Sequence, residues 1–157
     1  MSEPRPIDRL LAVMARLRDP ERGCPWDRAQ SFRTIVPHTI EEAYELAHAI
    51  EGGDWDEILD ELGDLLFQVV FYAQMASEQH RFDFQDVAAR VAAKMERRHP
   101  HVFGDVSIAT ASAMTDRWEA DKAAERAAKA EASGRPPSAL DGVLPALPAL
   151  SRAVKLT

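Results

Sequence analysis

The 157-residue chain is long enough for one domain with a sizeable core and too short for two ordinary ones. Its 46% hydrophobic and 29% charged residues are those of a globular protein, which excludes wholesale disorder and a fibrous repeat. A net charge of −7 argues against nucleic-acid or anionic-membrane binding, and the single cysteine, Cys24, excludes an intrachain disulfide and a cysteine zinc cluster. No apolar signal core opens the chain. The longest apolar stretch, Leu65 to Ala76, is broken by two glutamines, so a reducing, cytoplasmic setting with no membrane span is expected.

Prolines punctuate both ends of the chain, but none occurs between Pro37 and Pro100. That proline-free middle, with periodic apolar residues and no alternating β-branched run, predicts an all-α helical bundle of about five helices. The first helix is expected from Ile7 to Arg18, with Ile7, Leu10, Leu11, Met14 and Leu17 on one face. A turn-rich loop, DPERGCPWD, follows. The second helix is expected to start at Thr39, which has capping-box spacing to Glu42, and to end at Gly52-Gly53. The third runs from Asp54 to about His80, and the fourth from Phe84 to Arg98 with Asp83 as its cap. A fifth, alanine-rich helix covers 110–132. Residues 1–132 then form the domain, and 133–157 a proline-broken tail or linker with a short helix.

The third helix carries the chemistry. Ile58, Leu59, Leu62, Leu65, Leu66, Val69 and Ala73 share one side, and Glu57, Glu61, Asp64 and Gln68 lie on the other before it continues with Phe71 and Met75. A helix apolar nearly all round is buried between other elements, and carboxylates in such a setting need a cation. On the second helix Glu42 and Glu45 stand at i and i+3, the spacing that Glu61 and Asp64 repeat on the next. The short glycine turn makes the two helices an antiparallel hairpin, so four carboxylates can converge. An all-carboxylate set suits Mg²⁺ or Mn²⁺ better than zinc or copper. The plain alternative is a solvated acidic face, with the first-turn glutamates answering the helix dipole.

Several segments together are similar to the MazG-type nucleoside triphosphate pyrophosphohydrolases. They are RLRDPERGCPWDRAQ (16–30), EEAYE (41–45), ELGDLLFQVVFYAQMA (61–76), KMERRHPHVFGD (94–105) and RWEADK (117–122). The resemblance implies an all-α fold and Mg²⁺-dependent cleavage of a nucleoside triphosphate to a monophosphate and pyrophosphate. Carried onto this chain, its EExxE and ExxD pattern makes Glu42, Glu45, Glu61 and Asp64 the metal ligands, with Mn²⁺ a possible substitute. Glu41, acidic in the same motif, is implied as general base or outer-shell carboxylate. A triphosphate repels a carboxylate cage, so divalent ions are needed between the two.

Cationic groups are expected on the fourth helix. Lys94 and Arg98, one turn apart, flank its apolar face and can reach phosphate, and Arg97 is a third candidate. The alternative is a basic last turn that complements the helix dipole. The resemblance places Trp118 beside the nucleotide, where a base could stack, and Trp26 is a weaker candidate. His38, His99 and His101 lack metal-ligand spacing and read as loop or cap residues. A homodimer or higher homo-oligomer is expected, because the third helix needs more cover than one small chain gives. Longer members carry a second, similar domain after the segment matching LPALSRAVK, which lies at the end of this chain. A catalytically weak helical module with a regulatory or oligomerising role is the competing reading.

Overall fold

The computed structural model describes residues 3–105, 110–132 and 134. Among these residues are seven α-helices and no strand, as an all-α bundle requires. They are α1 Pro6–Leu17, α2 Pro25–Ala29, α3 Phe32–Gly52, α4 Trp55–Glu78, α5 Phe84–Arg98, α6 Pro100–Phe103 and α7 Ala111–Ala132. The two beyond the expected five, α2 and α6, are short and each begins on a proline, whose fixed φ suits a first helical position. The proline-broken tail expected over 133–157 lies, apart from Gly134, outside the described residues. No helix among the described residues is long and apolar enough to cross a membrane.

The start of α3 differs from the expectation. The helix begins at Phe32, where Ser31 Oγ accepts from Thr34 N and Thr34 Oγ1 accepts from Ser31 N. Pro37 therefore sits inside the helix and not before it. It costs the ladder one donor, and the cap and buried Ile35 outweigh that loss. Thr39, expected as the cap, instead donates to the Ile35 carbonyl at 3.2 Å and shares a hydrogen bond with the Tyr72 hydroxyl at 2.9 Å. Gly53, with φ of 78°, closes α3 in the left-handed region and lets the chain turn back at once into α4. Asp54 caps α4 through the Asp56 amide, and Asp83 and Asp86 cap α5 reciprocally.

The chain divides into two compact units, Met1–Ala92 and Ala93–Thr157. In the first, α3 and α4 pack along each other and α1 packs on α4. Met14, Ile35, Val70, Phe71 and Met75 form its core, with Leu10, Leu11, Phe32, Phe67, Tyr72 and Phe84 against it. The buried face of α4 is thus the one bearing Phe71 and Met75. On the leucine-rich stripe Ala73 is buried and Ile58 and Leu65 are half-buried, while Leu59 and Leu62 stay 69% and 50% exposed. Hydropathy could not rank two apolar faces of one helix; the packing of α1 and α3 decides between them.

The loop between α1 and α2 is tightly wound. Asp19 Oδ1 accepts from the amides of Glu21 and Arg22, and Gly23 N donates back to the Asp19 carbonyl. A Cβ on Gly23 would collide with backbone atoms of Leu17 and Asp19, which cannot swing away as a side chain does. Gly23→Ala is therefore expected to cost about 1–3 kcal/mol. It should appear in urea denaturation as a lower midpoint with an unchanged slope.

Candidate functional site

The antiparallel α3–α4 hairpin of the first unit brings its acidic residues together. Carboxylate oxygens of Glu42, Glu45 and Glu61 all lie within 4.8 Å of one another. Glu42 and Glu61 are half-buried and Glu45 is exposed. Asp64, one turn beyond Glu61, is exposed and outside that trio, but its charge acts on both Glu42 and Glu61. None of the four makes an ion pair with a described residue.

Desolvation and crowding show in the protonation of Glu42 and Glu61. Partial desolvation, then the charges of Asp64, Glu45 and Glu61, raise the Glu42 carboxyl above its usual range, against a hydrogen bond from Gln68. Glu61 is raised by desolvation and then by Glu45, Asp64, Asp60 and Glu57. Both directions follow first from desolvation and then from the negative charges gathered around each group. The donor set is entirely carboxylate oxygen, with no histidine or cysteine in the group. Those donors fit a hard divalent cation such as Mg²⁺ or Mn²⁺, and they fit zinc or copper poorly.

Glu41 lies apart from this group. Its side chain is 64% exposed, and its carboxylate stands 3.7 Å from Nδ1 of His38, one turn back on α3. His38, expected in a loop or cap, is a helical residue whose ring also meets Trp26 edge-on at 5.8 Å. Beneath the carboxylates, buried Gln68 turns its Nε2 toward Glu42 Oε1 at 3.4 Å. Sequence periodicity puts Gln68 on the acidic face but gives it no role there.

The second unit holds the basic candidates. Arg97 and Arg98 both grip Glu125 of α7, each at 2.7 Å. Arg98 is 14% exposed and Arg97 63%, so the former is fixed and the latter reaches solvent. Desolvation pushes the Glu125 carboxyl up, but the Arg97 hydrogen bond, the charges of Arg98 and Lys94 and the Arg98 hydrogen bond outweigh it, and the net shift is down. The arginines expected to be open to phosphate thus already share a carboxylate. Glu125 stands 27 residues beyond Arg98, and no local pattern announces the pairing. Trp118 of α7 meets the His99 ring edge-on at 5.6 Å, and His99 Nδ1 donates to the Met95 carbonyl at 2.7 Å.

Comparison with known proteins bears on these residues. The profile of the MazG nucleotide pyrophosphohydrolase domain matches residues 30–103. The chain is 57% identical over 150 residues to the nucleoside triphosphate pyrophosphohydrolase of Escherichia coli, covering 96% of this chain and 55% of that protein. It is 41% identical to the nucleoside triphosphate pyrophosphohydrolase/pyrophosphatase MazG of Thermotoga maritima, covering 96% and 54%. The chain therefore spans about half the length of these relatives. The crystal structure of a mazG-related protein from Thermotoga maritima superposes with a TM-score of 0.58 at 26% identity, over 71% of this chain and 98% of that one. The matched segment contains all of α3, α4 and α5, and with them the carboxylate trio and the basic helix end. Over residues 30–103, from before α3 to the end of α6, the chain carries a MazG nucleotide pyrophosphohydrolase domain.

Proposed function

We propose that this chain hydrolyses a nucleoside triphosphate between its α and β phosphates, giving a nucleoside monophosphate and pyrophosphate. The observation that carries this reading is the convergence of Glu42, Glu45 and Glu61 from two adjacent helices. Those three, with Asp64, would hold Mg²⁺, for which Mn²⁺ could substitute. When bound, the cation neutralises charge on the phosphates and polarises the bond to be broken. Glu41 is assigned as acceptor of the attacking water's proton, because it is acidic, accessible and not committed to the trio. Lys94, Arg97 and Arg98 are assigned to the phosphates, the arginines using the N–H donors that Glu125 leaves free. Trp118 offers an aromatic face for the base, which suits any base and so selects none.

A homodimer or higher homo-oligomer completes the reading. Leu59, Leu62, Leu66 and Val69 form an open stripe along α4, with Ile40 and Tyr44 exposed on α3. Such a stripe needs a partner surface, and a second copy supplies the same one. The role that follows is nucleotide-pool housekeeping in the cytoplasm. Pyrophosphate and monophosphate release from a panel of triphosphates, with and without Mg²⁺, tests the activity. Release that requires the cation is expected. Its absence with every nucleotide would leave a non-catalytic helical module.

A further inference from the structure

Gln68 lies four residues after Asp64 and seven after Glu61, so it continues the acidic face of α4 into the core. It is only 7% exposed, and its neighbours in the chain include buried Val70 and Phe71. For that burial it has little return. Its Nε2 donates one long hydrogen bond, 3.4 Å, to Glu42 Oε1, and its Oε1 is shut from solvent with no partner among the described residues. A buried amide so poorly satisfied is less stable than an apolar side chain of similar volume. Glu42 dictates the amide's orientation, because the reversed amide would set Oε1 against a carboxylate oxygen.

We propose that Gln68 is a positioning residue for Glu42. Its N–H holds that carboxylate in the orientation that joins Glu45 and Glu61, and the fold accepts a poorly satisfied core amide in exchange. The inference rests on the cation-site reading above. Partners behind a ligand commonly tune affinity by 10–100-fold, by fixing the ligand's orientation before the ion arrives.

The test is Gln68→Met in the full chain, with Mn²⁺ and Mg²⁺ titrated by calorimetry well below the melting temperature. The variant is expected to bind either ion about 10–100-fold more weakly, while its metal-free melting temperature equals or exceeds that of the wild type. Gln68→Leu, a second apolar replacement, gives the same comparison should methionine pack badly. In a Glu42→Gln background the Gln68→Met change should have little further effect on cation affinity, since its action runs through the Glu42 carboxylate. Wild-type affinity in both apolar variants would overturn the proposal and leave Gln68 a core amide alone. If the wild-type chain itself bound neither ion, the cation-site reading would fall and this inference with it, a result distinguishable at the first titration.

Discussion

Replacing Glu61 with alanine is expected to lower pyrophosphate release by more than about 100-fold, beyond the 10–100-fold that loss of an outer partner costs. The same change should raise the melting temperature of the metal-free protein. Glu61 stands within reach of Glu42 and Glu45, and the charges of Asp64, Asp60 and Glu57 also bear on it. Removing one of these negative charges relieves repulsion on those that remain. If the acidic residues only decorated a solvated face, the alanine variant would differ by less than about 0.5 kcal/mol and keep its activity. Mg²⁺ separates the two cases further. A cation that binds only the folded state raises its midpoint, by about 2.7 kcal/mol when present at 100 times its dissociation constant. The wild type should show that rise and Glu61→Ala much less of it. Equal Mg²⁺ responses in both proteins, together with unchanged pyrophosphate release, would show that these carboxylates are not the site.

The stretches of the fold legible in the sequence are those where local rules and packing agree. The apolar face of α1, the Gly53 turn and the bounds of α5 follow from periodicity, caps and breakers, and the structure has them. Pro37 misled because a proline usually ends a helix, whereas the Ser31–Thr34 cap one turn earlier and buried Ile35 carry α3 through it. The core face of α4 was illegible for another reason. Leu59 and Leu62 are as apolar as Val70 and Phe71, and only the packing of α1 and α3 on α4 decides which are covered. In the candidate site, the trio was legible because its spacing is local and its two helices are joined by a short turn. Contacts between residues far apart in the chain were not. Gln68 meets Glu42 across 26 residues and Arg98 meets Glu125 across 27, and neither pair leaves a trace in spacing.

A third long-range contact sets the largest stability effect expected of a charged residue. Arg18, just past the end of α1, is 10% exposed at its side chain. Its Nε and Nη2 donate to the two oxygens of Glu78, the last residue of α4, at 2.8 and 2.7 Å. Its Nη1 donates to the carbonyls of Asp27 and Gln30, and its guanidinium lies 5.4 Å from the centre of the Phe71 ring. One side chain thus ties α1 to the end of α4 and to α2. Arg18→Ala is expected to cost about 2–4 kcal/mol, somewhat below the 3–5 of a fully buried pair, because one-third-exposed Glu78 can regain water. Arg18→Lys should recover only part of this, since an ammonium cannot make the paired fork or serve both carbonyls at once. The cost must also depend on pH. The Arg18 hydrogen bond, opposed by desolvation and helped by the Gln74 amide and the Arg18 charge, holds the Glu78 carboxyl below its ordinary 4.5. A carboxyl lowered on folding contributes stability that is complete above the unfolded value and is lost as pH falls through the folded one. Urea denaturation of wild type and Arg18→Ala should therefore show a constant gap from neutral pH to about pH 5, then a narrowing gap in more acid solution. A gap that held its width at about pH 3 would place the cost in the carbonyl and Phe71 contacts and remove the ion pair from the account.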